Sequence, residues 1–274
     1  MKHLISVIIT TYNWPDALYL CLQSLNNQED NNFEIIIADD GSTQKTRELI
    51  NAFKQNTSIT IQHIFQDDLG FRAGTIRNKA IAASKGDYLI FLDGDCIVQP
   101  NFISRHRQLA EKGFWIPGNR ILLSQSYTSK ILTKNIFLHT KPTAFFLAQW
   151  LKGNINRILP LLYLPFNYFR YLQPLQWQKA MTCNLAVWKT DFIAVNGFDE
   201  QFEGWGYEDS DLVIRLIHQG IKRKEGRFAA PVLHLWHNQN DRSQHDNNYR
   251  RLIDRLKDPL FIQSERGIDQ YLNH

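Results

Sequence analysis

Between Lys112 and Thr190 the chain contains no aspartate or glutamate, although 27 acidic residues are distributed over its 274 positions. Ten lysines and arginines fall in the same stretch, so it carries +10 while the whole chain carries only +4. A solvated face of alternating charge is excluded there. Aromatic residues are dense in it: Phe137, Phe145, Phe146, Trp150, Tyr163, Phe166, Tyr168, Phe169, Tyr171 and Trp177. Basic and aromatic residues without acids predict an anionic partner surface, either membrane headgroups or an acidic acceptor. The plainer alternative is a folded insertion whose aromatics are core. Cysteine is also scarce. Cys21, Cys96 and Cys183 are odd in number and lack metal-finger spacing, which argues against a disulfide framework and for a reducing compartment. No long apolar run exists. Ile158 to Phe166 is the longest and contains Pro160 and Pro165, whereas a membrane span needs about 20 residues. No cleavable apolar leader follows Met1-Lys2-His3. The expectation is a cytoplasmic chain, with peripheral attachment to the inner face of the cytoplasmic membrane as its closest approach to a bilayer. No Gly-Arg or RNP-like string accompanies the aromatics, which argues against nucleic acid as partner.

What is present is an alternation of strand and helix signals over the first hundred residues. Leu4–Thr10, Phe33–Ala38 and Tyr88–Leu92 are apolar runs of buried-strand length, and Ile59–Phe65 alternates as an edge strand would. Pro15 can open a helix whose face is Leu18, Cys21, Leu22 and Leu25. Ser42 can cap a second helix carrying Leu49, Ile50 and Phe53, and a third spans about Ala73 to Ser84. Such alternation predicts an α/β fold, a Rossmann-like, mostly parallel sheet flanked by helices. Asn101–Glu111 reads as a helix and Trp115–Leu123 as a strand. With no internal repeat, the organisation expected is one domain over 1–237. It comprises a strand–helix part at 1–110, the basic aromatic insertion at 124–180 and a further part at 181–237. A polar tail follows at 238–274, with a helix at Tyr249–Lys257.

The chemistry gathers at strand ends. Phe91-Leu92-Asp93-Gly94-Asp95-Cys96 closes one strand with two carboxylates, and the C-terminal edge of an open α/β sheet is where such folds bind ligands. In extended backbone residues i and i+2 point the same way. Asp93 and Asp95 can therefore share one hard divalent ion, or one can bind the ion while the other holds a sugar hydroxyl. Asp39-Asp40-Gly41-Ser42 closes another strand, where a carboxylate can accept the imide N–H of a uracil. Arg77, on the helix beside the Asp93 strand, suits a phosphate. Gly204-Trp205-Gly206-Tyr207-Glu208-Asp209-Ser210-Asp211 is the most specific string. Trp205 between two glycines can stack on a sugar ring. Three acids in four residues exceed what a helix's first turn requires, and one of them can take a proton from an acceptor hydroxyl. His234 and His237 stand three apart, and one could complete a metal shell begun by the aspartates.

These strings, in this order, resemble family 2 glycosyltransferases with the GT-A fold. The resemblance rests on SVIITTYN (6–13), DDGST (39–43), GFRAGTIRNKAI (70–81), FLDGDC (91–96), NGFDE (196–200) and GWGYEDSDL (204–212). The last is similar to the galactosyl- and N-acetylgalactosaminyl-transferring branch, such as β-1,4-galactosyltransferases and chondroitin polymerases. The resemblance implies an inverting transfer of a hexose from a UDP-sugar to a glycan or glycolipid acceptor, with Mn²⁺ or Mg²⁺. Bacterial lipopolysaccharide or capsule synthesis is the expected setting. It also implies roles. Thr11, Tyr12 and Asn13 lie near the nucleotide, Asp39 or Asp40 holds the uracil, and Asp93 and Asp95 hold ribose and metal. His237 is a further metal ligand and His234 an extra one. Asp209 is the base and Glu208 orients the acceptor, with Trp205, Gly206 and Asp211 beside it. Tyr207 departs from the family, where glycine is frequent. The rival reading is a non-catalytic glycan-binding or membrane-scaffolding domain that keeps the fold. Retention of Asp93, Asp95 and Asp209 argues against it.

Overall fold

The strand Ile5–Thr11 (β1) is buried at every position except Thr10, as expected of a strand covered on both faces, and it occupies the interior of the sheet. A computed structural model of the chain describes residues 2–164, 168–238 and 241–272. After β1 come α1 (Pro15–Asn26), β2 (Phe33–Asp39), α2 (Gln44–Lys54), β3 (Ile61–Phe65), α3 (Ala73–Ala83) and β4 (Tyr88–Asp93). Then follow β5 (Cys96–Val98), α4 (Phe102–Leu109), β6 (Phe114–Pro117), β7 (Arg120–Leu122), α5 (Gln125–Lys134) and α6 (Thr143–Leu151). The last elements are β8 (Asn184–Trp188), α7 (Lys189–Ala194), α8 (Glu208–His218), β9 (Lys222–Arg223), β10 (Val232–His234) and α9 (His245–Lys257).

The main sheet has seven strands in the order β3-β2-β1-β4-β8-β6-β9. The first four are parallel, and β8 runs antiparallel to β4 and β6. Alternate residues of β1 feed opposite faces, as the period of a strand requires. Ile5, Val7 and Ile9 pack with Leu18, Leu22 and Leu25 of α1, Ile50 of α2 and Phe102 of α4. Ile8 packs instead with Ile76 of α3, Phe192 of α7 and Leu212 of α8. The chain passes from β1 to β2 on one side and later reaches β4 on the other. The switch point of the sheet therefore lies at the C-terminal ends of β1, β2 and β4. Register places Thr11 beside Asp39 and Thr10 beside Asp93.

A second, three-stranded sheet, β5-β10-β7, stands at that mouth. Its existence corrects the sequence reading of Trp115–Leu123. Pro117 and Gly118 break that run, so β6 joins the large sheet and β7 the small one. The insertion has the short helices its prolines predict, α5, α6 and three 3-10 turns. Pro165 and Phe166 lie outside the described residues.

The expected boundary at 237 also needs correction. The segment after it is packed into the fold: Ile268 is fully buried in the cluster with Ile76 and Phe198. Arg255 of α9 forms ion pairs with Asp199, at 2.8 Å, and with Asp211 of α8, at 3.3 Å. The polar composition of residues 238–274 conceals this role because the anchoring groups are charges.

Candidate active site

Asp93 ends β4, and the chain turns immediately, held by Gly94 N–H donating to the Thr10 carbonyl at 2.8 Å. A Cβ on Gly94 would sit 3.2 Å from that same oxygen, so the close turn favours glycine. The turn also separates the two aspartates, because the alternation of extended backbone no longer applies across it. Asp93 Oδ1 faces Arg77, 3.3 Å from Nη2. Asp95 faces away from it, towards the small sheet. Asp93 pairs with Arg77, and Asp95 with His234 and His237.

Strand register brings the histidines to Asp95. β10 pairs antiparallel with β5 so that His234 stands opposite Cys96, and Leu235 N–H donates to the Asp95 carbonyl at 3.0 Å. Asp95 Oδ1 lies 3.6 Å from His234 Nε2, and its Oδ2 lies 3.4 Å from His237 Nε2. One ligand atom from each of the three residues falls within 4.8 Å of the others. The Nδ1 atom of His234 bonds the Leu235 carbonyl at 2.8 Å, and that of His237 the Asn238 carbonyl at 2.6 Å. A ring nitrogen facing a carbonyl must carry the proton. Both Nε2 lone pairs are thereby left for a cation, the arrangement metal-ligating histidines ordinarily have. Two imidazoles and one carboxylate fit a divalent transition ion. Burial raises the Asp95 carboxyl above its ordinary range.

Arg77 joins this side of the mouth to the other. It is 3 % exposed. Its Nε donates to Thr10 Oγ1 at 2.8 Å, and its Nη1 lies 3.5 Å from Glu208 Oε1 at the start of α8. One guanidinium thus bridges Asp93 and Glu208. Asp209 follows, with Oδ2 accepting from Thr182 N–H at 3.3 Å. Burial and then the charge of Glu208 lift the Asp209 carboxyl to about 7, against the pull of Arg77. A carboxyl poised there can take a proton near neutral pH.

The other predicted residues fall as follows. Asp39 is 1 % exposed, and its oxygens accept from Ser42 N–H at 2.9 Å and bond His63 Nε2 at 2.9 Å. Burial pushes its carboxyl up, but the bonds from His63 and Ser42 outweigh this and hold it below its usual range. Asp40 accepts from Gln66 Nε2 at 2.6 Å and Arg72 N–H at 2.8 Å, and burial raises it all the same. Each of these aspartates already holds two protein hydrogen bonds. Ser42 does not cap α2. Thr43 stands at that position, and Ser42 Oγ accepts from Asn13 N–H at 2.9 Å. Asn13 Oδ1 in turn accepts from Thr43 N–H at 2.8 Å, pinning the 11–13 loop to the 39–43 loop. Thr11 is buried beside Asp39, whereas Tyr12 is 53 % exposed and donates to Asp68 Oδ2 at 2.8 Å.

Trp205 lies partly exposed under the Arg242 guanidinium, 5.0 Å from its ring centroid, and Gly206 beside it is buried. Gly204, Gly206 and Tyr207 have φ of +72°, +115° and +71°. That explains why glycine suits position 207, since a side chain is disfavoured in the left-handed region. Tyr207 is retained there against His245 and Tyr249, with its hydroxyl 3.0 Å from His245 Nε2. Sequence reasoning missed His63, Gln66, His245 and Tyr249, none of which belongs to a short motif.

Asp211 is a correction. It is fully buried, 2.7 Å from Arg215 Nη2 and 3.3 Å from Arg255 Nε, so it staples α8 to α9 and does not face an acceptor. Removing one partner of a buried pair costs about 3–5 kcal/mol. Asp211→Ala is therefore expected to lower the thermal midpoint sharply in calorimetry, with the acceptor KM of the folded fraction unchanged.

Residues 6–155 match the family described as Glycosyl transferase family 2, and residues 164–238 match the N-terminal domain of galactosyltransferase. Validoxylamine A glucosyltransferase of Streptomyces hygroscopicus subsp. jinggangensis (strain 5008) is 30% identical over 229 residues, covering 80% of this chain and 52% of that protein. Chondroitin synthase of Escherichia coli is 25% identical over 248 residues, covering 82% of this chain and 34% of that one. The chain spans about half the length of the first of these relatives and about a third of the second. Among solved structures, S. aureus TarS 1-349 in complex with UDP superposes with a TM-score of 0.60 at 12% identity, over 98% of this chain and 69% of that one. GalNAc-T7 with UDP, GalNAc and Mn²⁺ gives 0.61 at 15% identity, over 92% and 48%. The architecture is that of the GT-A glycosyltransferases.

Proposed function

The chain belongs to glycosyl transferase family 2, and from that membership we propose that it is an inverting, metal-dependent glycosyltransferase. It moves a hexose from a UDP-sugar to a hydroxyl of a glycan or glycolipid, in synthesis of a bacterial surface polysaccharide such as lipopolysaccharide or capsule. The observation that carries this reading is a single mouth with two chemical ends. The Asp95, His234 and His237 cluster stands at one end and Asp209 at the other, with Arg77 spanning Asp93 and Glu208 between them. UDP and UDP-GlcNAc bound to TarS, and Mn²⁺ bound to GalNAc-T7, support the donor class and the cation.

Asp95, His234 and His237 would hold a divalent cation such as Mn²⁺ or Mg²⁺. When bound, it would neutralise charge that builds on the departing diphosphate. Asp93 would accept from a ribose hydroxyl while Arg77 fixes its orientation. Thr11, Tyr12, Asn13, Asp39 and Asp40 line the nucleotide end, where the 39–43 loop is held rigid by its own hydrogen bonds. Asp209 takes the proton from the acceptor hydroxyl as that oxygen forms its bond to the anomeric carbon. The bond to the diphosphate breaks on the opposite face, which inverts the configuration. Glu208, fixed by Arg77, orients the acceptor, and Trp205 offers its ring to a sugar face.

Titration calorimetry with UDP tests the reading. UDP is expected to bind with Mn²⁺ present and at least about tenfold more weakly without it, and a single-stranded oligonucleotide is expected not to bind. Equal UDP affinity with and without the metal would remove the metal-dependent part. Absence of UDP binding under both conditions would overturn the donor assignment.

A further inference from the structure

The acid-free insertion uses only part of its apolar residues as core: Tyr127, Ile131, Leu138, Phe146 and Ile155 pack against the small sheet, and others stay exposed. On α6, Leu147, Trp150 and Leu151 are 46 %, 43 % and 73 % exposed. They stand at i, i+3 and i+4 and so form one stripe. The adjoining face of the same helix buries Phe146 and Gln149. Leu159, Leu162 and Leu164, and further along Tyr168, Leu172 and Leu175, are also exposed. Exposed large apolar side chains concentrated in one segment mark an interaction surface. Lys130, Lys134, Lys152 and Arg157 of the same insertion are exposed, whereas Arg170 is buried, and with no acid among them they favour an anionic partner.

Between α4, α6 and the 3-10 turn at Leu159–Leu161 lies a cavity of about 160 Å³. Arg105 and Lys141 are its cations, Thr143 and Asn101 add polar side chains, and Glu29 is the one acid on its wall. The Arg105 guanidinium lies flat on the Tyr163 ring, 3.4 Å from the centroid. Neither Arg105 nor Lys141 pairs with a carboxylate among the described residues. Gln99 also lines the cavity, and its buried Nε2 donor has no protein acceptor. A net positive cavity with a vacant buried donor calls for an anion rich in oxygen. Its rim is α6 and the Leu159–Leu164 stretch, the same elements that carry the exposed apolar side chains.

We propose that this face seats the protein on an anionic phospholipid bilayer, with the leucines and Trp150 in the headgroup–acyl boundary and a lipid phosphate in the Arg105–Lys141 cavity. The occupant follows from charge and apolarity together. A soluble anion would leave the stripe exposed, and a neutral apolar partner would leave the cations unmatched. The cavity shares no lining residue with the catalytic mouth, so lipid binding and UDP binding can be read separately.

Vesicle co-sedimentation of the full chain tests the seat. Vesicles of phosphatidylcholine mixed with phosphatidylglycerol are expected to bind it at least about tenfold more strongly than phosphatidylcholine alone, and the preference is expected to fall as salt rises. Leu147→Ser/Trp150→Ser/Leu151→Ser, all exposed positions, is expected to lower binding to the anionic vesicles at least about tenfold. Arg105→Gln/Lys141→Gln is expected to reduce the preference for anionic lipid while keeping weak binding. UDP affinity, read on the same samples, reports that each variant is folded. Equal binding to both vesicle types, or a triple serine variant that sediments like the parent, would overturn the proposal. So would a parent that ignores vesicles but forms an oligomer that the triple variant loses, since the face would then join copies of this chain.

Discussion

Asp209→Asn is expected to lower transfer by about 10²–10⁴-fold, the usual contribution of a positioned base, while UDP binding survives. Asn keeps an oxygen for the Thr182 N–H and the shape of the side chain, so a fall in rate reports the lost base. The wild-type rate is expected to rise with pH through about 7, because the carboxyl is held there by burial and by Glu208 and must be ionised to act. Stability moves the other way. A carboxyl whose folded pKa lies above its unfolded value binds more protons when folded, so the fold loses stability as pH rises from about 4 to above 7. The Asn variant lacks that cost. At pH 8 it is expected to melt at a higher temperature than the wild type, and the gap is expected to close as the pH is lowered towards 4. An inactive variant that is also less stable at pH 8 would mean that Asp209 supports the fold and is not the base. Full turnover by Asp209→Asn would remove it from the chemistry altogether.

Asp95→Asn should be almost as damaging. Asp95 is the only carboxylate among the three side chains whose ligand atoms converge, beside two imidazoles. An amide in its place leaves a neutral donor set for a doubly charged ion. Loss of a group that merely supports a metal ligand already costs about 10–100-fold in affinity, so loss of the charged ligand is expected to cost at least about 100-fold in Mn²⁺ titrations. The Mn²⁺-dependent part of UDP affinity should vanish with it. Asp93→Asn, by contrast, leaves the three convergent ligands in place and is expected to keep the metal response. A Mn²⁺ titration of Asp95→Asn that matches the wild type would place the cation elsewhere.

The parts of the site that the sequence reveals are those written in adjacent residues. A buried strand appears as an apolar run, and an acid that ends it lies at the mouth, which is why Asp39 and Asp93 can be placed without coordinates. The direction each carboxylate takes cannot be read this way. Asp93 and Asp95 look equivalent as a pair, but the turn at Gly94 sends one to Arg77 and the other to His234 and His237. Asp211 looks like a third catalytic acid because it follows Asp209 by two. In a helix that spacing puts it on another face, where Arg215 and Arg255 neutralise it. Trp115–Leu123 has the apolar content of one strand, and only the Pro117-Gly118 pair betrays the crossing between sheets. The 238–274 segment reads as polar because ion pairs tie it down, and a pattern of hydrophobic residues is blind to ion pairs.

Side chains alternate across a strand, so sliding β10 by one position against β5 would present Leu233 or Leu235 to Asp95 in place of His234. What forbids the slide is apolar. Leu233 and Leu235 are locked with Ile97 and Ile121 on one face, and Val232 packs with Cys96 and Val98 on the other. The identity of the cation's ligands is thus dictated by leucines and isoleucines that never touch it. A substitution such as Ile121→Asp, which puts a charge against Leu233 rather than at the histidines themselves, would scramble the donor set by letting a three-residue strand lose its place.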